Sequence, residues 1–102
     1  MICVIATVNL KEGKRDDYLA ELRKIIPDVR QEIGNIEYAP HIDLPSGFPV
    51  QPPMRPDTVT ILERWESLDA LKSHMNAPHM GPYRQATKDI VQSMQVQVLS
   101  PT

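Results

Sequence analysis

The sequence predicts an α+β domain of the ferredoxin-like type: an antiparallel four-stranded sheet in the order βαββαβ, covered by helices on one face. Three observations lead there. β-Branched or alternating runs at residues 2–10, 35–44, 58–66 and 95–100 are separated by stripes of helical spacing at 18–33, 68–77 and 80–94. That order of elements is the split βαβ arrangement. The length of 102 residues suits a single domain, which buries roughly 65 % of its unfolded surface around one modest core.

In residues 2–10, Ile2, Val4, Ala6 and Val8 share one face, and Cys3, Ile5 and Thr7 the other, so neither face is fully wet. Glu12-Gly13 ends this strand. Tyr18, Leu22, Ile25 and Val29 then recur at helical spacing, with Leu19, Ile26 and Ile33 widening the stripe. Pro27 lies inside it. It lacks an N–H and crowds the preceding turn, but the stripe resumes in phase, which predicts a kink rather than a break. Gly34 is the expected helix stop.

From Asn35 to Leu44 the pattern alternates, with Ile36, Tyr38, Ile42 and Leu44 on one side and Glu37, His41 and Asp43 on the other. Pro40 favours a sheet edge or a bulge. Gly47 and the prolines at 45, 49, 52, 53 and 56 make residues 45–57 a stiffened loop, longer than most connections. Thr58–Glu66 is the next strand, with Val59, Ile61, Glu63 and Trp65 on one face. Ser67 caps a short helix whose inner face begins with Leu68 and Leu71, and Pro78 closes it. A last helix carries Met80, Tyr83, Thr87, Ile90 or Val91, and Met94. Val96 and Val98 belong to the final strand.

Helices cover only one side of such a sheet. The other would present Cys3, Ile5, Thr60, Leu62 and Leu99, too apolar to face water comfortably, so a second copy packed sheet to sheet about a twofold axis is expected. The net charge of −2 supplies no basic footprint, which argues against nucleic acid or anionic membrane as partners. Cys3 is the single cysteine, so there is no intrachain disulfide and no multi-cysteine metal site. Its apolar strand makes it a small buried side chain. Residues 1–10 are too short to span a bilayer and lack the basic start and cleavage site of a signal peptide, so the expected location is the cytoplasm.

The chemistry-bearing residues gather in one stretch. Glu63-Arg64-Trp65-Glu66-Ser67-Leu68-Asp69-Ala70-Leu71-Lys72-Ser73-His74, followed by Pro78-His79, reads as a strand running into a capped helix, and it holds the one tryptophan and two of three histidines. Lys11-Glu12-Gly13-Lys14 before the first helix, Glu32-Ile33-Gly34 before the second strand, and this stretch together resemble the antibiotic biosynthesis monooxygenase family over nearly the whole chain. The resemblance implies one domain spanning residues 1–102 and a dimeric α+β barrel with a pocket between helices and sheet in each subunit. Its activities span cofactor-free oxygenation of quinols and polycyclic phenols, haem degradation, and isomerisation of small signalling sugars. The haem-degrading branch uses an asparagine in the first strand, a tryptophan on the helix after the third and a histidine on the next helix. Here those positions hold Ala6, His74 and Arg84, and the mismatch disfavours haem degradation.

Cofactor-free oxygenation with O2 needs a base, an apolar pocket that excludes water, and donors that steady a developing anion. No cofactor and no metal are expected, because the quinol-like or polyphenolic substrate is itself the reductant. His74 is the candidate base, since imidazole titrates near working pH; a helix-flank histidine bonded to a carboxylate is the structural alternative. Trp65 is either core or a wall against which substrate stacks, its N–H free to point into a cavity. Glu63 shares its face and either orients His74 or pairs with Arg64 or Arg84. Asn9, His79, Tyr83 and Arg84 are candidate substrate-binding residues. For each, a plain structural role stands beside the functional one: strand end, helix entry, helix packing and ion pair. His74 and His79 lie five apart across a proline, with no acidic partner at ligand spacing, which argues against a metal. Two other functions stay open: an isomerase using the same histidine without oxygen, and a non-catalytic binding or assembly module.

Overall fold

A computed structural model describes residues 1–102 and has the expected order: β1 (Ile2–Leu10), α1 (Arg15–Arg30), β2 (Asn35–His41), β3 (Thr58–Trp65), α2 (Leu68–Met75), α3 (Met80–Thr87) and β4 (Val91–Leu99). The four strands form one antiparallel sheet in the order β2-β3-β1-β4. The ferredoxin-like α+β class is therefore as the sequence predicts. No helix is long and apolar enough to cross a membrane.

Alternation along β1 sets the layers. Val4, Ala6, Val8 and Leu10 are buried beneath the helices together with Val59, Ile61 and Trp65 of β3. α1 supplies the other half of the core through Tyr18, Leu19, Leu22, Ile25, Ile26 and Val29, all buried. Burying each such side chain contributes about 1.5–3 kcal/mol, the main term opposing chain entropy. Pro27 sits within α1, which runs on to Arg30. The opposite sheet face carries Cys3 paired with Leu99 and Ile5 with Leu62, and Ile5 and Leu99 remain 37 % and 41 % exposed.

Several boundaries differ from the sequence reading. α1 stops at Arg30, so Ile33 loses the helical phase and is 93 % exposed rather than part of the stripe. Gly34 is instead demanded by close approach: its φ is +89°, and a Cβ there would lie 2.6 Å from the Ala70 Cβ. β2 ends at His41, not Leu44, and a register shift between Asn35 and Glu37 makes Ile36 the extra residue of a bulge. Tyr38 is consequently buried while Ile36, Ile42 and Leu44 are exposed.

The loop after β2 is closed by a staple, Arg55 donating to Asp43 through its backbone N–H, Nε and Nη2 at 3.0, 2.9 and 2.8 Å. Ser67 caps α2 as expected, its Oγ accepting from the Ala70 N–H at 3.1 Å. Leu68 is exposed and Leu71 and His74 form the inner face of α2. The last helix is shorter than expected. Ile90 and Val91 fit helical spacing from Tyr83, but Met94, Val96 and Val98 alternate with Ser93, Gln95 and Gln97, and β1 captures that period-two run as β4. Met94 is therefore a strand residue. The helices stop short of β4, leaving the helix-side residues Met94, Val96 and Val98 exposed at the sheet edge.

Candidate active site

That uncovered edge is the mouth of a cavity of about 320 Å³ between the helices and the sheet. Its floor is Val4, Ala6 and Val8 of β1 with Ile61 of β3, and Leu71 and Met80 close it from the helical side. The lining is mostly aliphatic and methionine, so the residues that bring polar atoms stand out: Tyr38, Glu63, His74, Tyr83 and Thr87 inside, Arg84 and Lys88 toward solvent.

Glu63 comes from the inward face of β3 and is 6 % exposed. Its Oε1 accepts a hydrogen bond from Trp65 Nε1 at 2.9 Å. Burial holds its carboxyl above the ordinary carboxylate range, with Glu32 pushing the same way; the Trp65 bond and the charge of His74 oppose the shift.

His74, 3 % exposed, follows Leu71 by three residues on α2, which puts both on the inner face. Its ring is tilted against Trp65 and Tyr38, with centroids 4.8 and 5.6 Å apart. Its Nδ1 lies 2.9 Å from Glu32 Oε2, and His79 Nε2 lies 2.8 Å from that same oxygen. His74 Nε2 has no protein partner, and no fully buried side-chain nitrogen or oxygen is left unsatisfied, so Nε2 keeps access to the cavity. The Tyr38 hydroxyl likewise reaches the cavity without a protein partner, and burial raises the Tyr38 pKa. Tyr83 and Tyr18 share a short hydroxyl–hydroxyl contact; burial raises both, Tyr18 more strongly.

The candidate residues therefore separate. Glu63, His74, Tyr83 and Arg84 meet at one cavity. Trp65 does not line it: the indole is 0 % exposed and its N–H goes to Glu63, so the stacking wall is instead a buried prop for the carboxylate and the imidazole. Asn9 faces away, because the alternation that turns Val4, Ala6 and Val8 inward turns Asn9 to the other sheet face; there its side chain accepts from Thr58 Oγ1 at 2.9 Å and donates to Ser93 Oγ at 3.1 Å. His79 is outside the lining and bonds Glu32. Glu63 pairs with neither arginine: Arg64 lies 3.4 Å from Glu37, and Arg84 Nη2 donates to the Met75 carbonyl at 2.8 Å.

The expectation of no acidic partner for the histidines is also corrected. Glu32 arrives from the turn after α1, 42 residues before His74, and Glu32, His74 and His79 place their ligand-type atoms within 4.8 Å of one another. Those three could hold a metal ion, though each donor is already engaged in a hydrogen bond. Neither Glu32 nor Tyr38 is among the candidate site residues of the sequence: Tyr38 reads there as one apolar position of a strand, and the Glu32-Ile33-Gly34 motif is the one signal at Glu32.

The family described as antibiotic biosynthesis monooxygenase matches residues 1–86. The probable quinol monooxygenase YgiN of Escherichia coli K12 is 37 % identical over 103 residues, covering 99 % of this chain and 98 % of that protein. Among solved structures, SO0527 from Shewanella oneidensis is 28 % identical with a TM-score of 0.77 over 97 % of this chain and 92 % of its own. PA3566 from Pseudomonas aeruginosa, at 22 % identity, is a likeness of fold alone, with a TM-score of 0.81 over 99 % and 93 %. With the fold, the helix–sheet cavity and these matches in agreement, the chain belongs to the antibiotic biosynthesis monooxygenase family.

Proposed function

We propose that the protein is a cytoplasmic, cofactor-independent monooxygenase that oxidises a quinol-like or polyphenolic small molecule with O2. The observation that carries this reading is His74, whose Nδ1 is taken by Glu32 while Nε2 opens on an apolar cavity. A neutral imidazole so held offers its lone pair to a phenolic O–H. The cavity volume of about 320 Å³ suits a one- or two-ring substrate. The relative YgiN, named as a probable quinol monooxygenase, supports the substrate class.

Nε2 takes the phenolic proton, and the electron-rich anion passes one electron to O2. Superoxide and the aryloxyl radical combine at a ring carbon, forming a C–O bond. The peroxide takes back the proton held on Nε2. As the O–O bond breaks, the ring C–H at the oxygenated carbon is lost to form the carbonyl. The departing hydroxide leaves as water with a proton from Glu63, whose burial favours the protonated form, and the C–H proton restores that carboxyl. One quinol and one O2 give one hydroxyquinone and one water, so atoms and electrons balance without a further reductant. The Tyr38 hydroxyl is placed to donate to a substrate oxygen. The aliphatic floor excludes the water that would quench the anion.

The same proposal includes a homodimer, with a second copy on the open sheet face. Ile5 and Leu99 there, and the exposed Phe48 and Val50 on the stapled loop, are the apolar groups it would cover. Light scattering at micromolar concentration should give twice the mass of one chain, and a monomer would remove this part.

The activity is tested by oxygen uptake with a panel of hydroquinones, followed by mass spectrometry. The expected result is one O2 consumed per hydroxyquinone formed, with no O2 returned on adding catalase. A rearranged product without oxygen uptake would point to the isomerase, and no turnover of any quinol to the binding module.

A further inference from the structure

We propose that Glu32 and His79 are positioning residues that hold the His74 imidazole in its Nδ1–H tautomer, keeping Nε2 a proton acceptor toward the cavity. Two ring nitrogens lie 2.9 and 2.8 Å from one carboxylate oxygen, Glu32 Oε2. A carboxylate only accepts, so both nitrogens must carry hydrogen: Nδ1 of His74 and Nε2 of His79. An unconstrained neutral histidine side chain prefers the opposite tautomer, with hydrogen on Nε2. In that form His74 would present a donor to the cavity and could not take a phenolic proton.

The chain builds this arrangement from three separate places. Glu32 sits in the turn after α1, fixed by its N–H on the Val29 carbonyl at 3.0 Å and by its own carbonyl accepting from Asn35 at 3.1 Å. His74 ends the inner face of α2, and His79 stands at the N-cap of α3 without a side-chain cap bond. The side chains of His74, Glu32 and His79 are 4 %, 14 % and 19 % exposed, so the contacts run outward from a nearly dry ring. His79 makes the second bond to Oε2, which fixes the carboxylate rotamer that His74 needs. The other ionisable groups around the His74 ring are Glu63 of β3 and Tyr38 of β2, and neither bonds Nδ1.

The inference rests on His74 being the base only for its kinetic consequence; the tautomer itself is read without turnover. Long-range proton–nitrogen correlation spectra of histidine-labelled whole protein, recorded where His74 is neutral, should show Nδ1 protonated and Nε2 bare. Glu32→Ala should convert most of this signal to the Nε2–H form, and Glu32→Gln, whose amide oxygen still accepts, should retain it. A wild-type spectrum with hydrogen on Nε2, or an unchanged tautomer in Glu32→Ala, would overturn the proposal. In turnover, Glu32→Ala should lower kcat about 10-fold or more with little change in KM. Glu32→Gln, which keeps an acceptor oxygen for Nδ1–H, should retain more of kcat than Glu32→Ala. The correct tautomer without any quinol turnover would sink the oxygenase reading and leave this one standing.

Discussion

Trp65→Phe isolates the contact on which the buried carboxylate depends. The phenyl ring keeps most of the indole's packing and removes the Nε1–H that donates to Glu63 Oε1 at 2.9 Å. Lost volume at a fully buried position costs about 1–2 kcal/mol at any pH, a fraction of the roughly 3–5 kcal/mol of full truncation. The lost hydrogen bond is pH-dependent: about 1 kcal/mol when Glu63 is protonated, and about 1.5–3 kcal/mol when it is ionised. The Glu63 pKa is raised by burial against the pull of the Trp65 bond, so removing that bond raises it further.

A carboxyl whose folded pKa exceeds its unfolded value binds more protons in the folded state between the two. Stability therefore falls as pH rises through that window and is flat above it. The cost of Trp65→Phe should thus grow by about 0.5–2 kcal/mol as pH rises from below the ordinary carboxylate range to above the Glu63 titration. Urea unfolding followed by far-UV circular dichroism at fixed protein concentration measures it. In a Glu63→Gln background the growth should vanish. A cost independent of pH, or a growth that persists in that background, would refute the reasoning.

Gly34→Ala should destabilise by about 1–3 kcal/mol, because φ is +89° and the new Cβ meets Ala70 at 2.6 Å; thermal unfolding reads it, and Gly13→Ala, with nothing within 4 Å of its Cβ but φ +75°, should cost less. Ser67→Ala should cost about 1 kcal/mol by urea unfolding through loss of the α2 cap. Asn9→Ala should leave the KM for any quinol unchanged, because Asn9 lies on the far side of the sheet; a several-fold rise would mean the cavity extends through it.

The fold was legible wherever one contiguous pattern decided an element. The Thr58–Trp65 alternation, the Ser67 cap and Leu71 three residues before His74 lie together in the chain, so the strand, the helix and the inward imidazole could be read directly. Two kinds of information were not local. The bulge at Ile36 and the capture of Met94 by β4 depend on pairing with a strand elsewhere, which periodicity cannot express. The partners of the candidate base come from 42 residues upstream in Glu32 and from Tyr38 on β2, while Trp65, conspicuous as the one indole, proved to support the site from beneath rather than line it.

Oxygen-electrode rates with a hydroquinone, wild type beside His74→Ala, weigh the catalytic assignment most directly. Loss of a positioned base should slow O2 consumption about 10²- to 10⁴-fold, with the circular dichroism spectrum unchanged. If the alanine variant consumes oxygen at the wild-type rate, the imidazole facing the cavity is not the base.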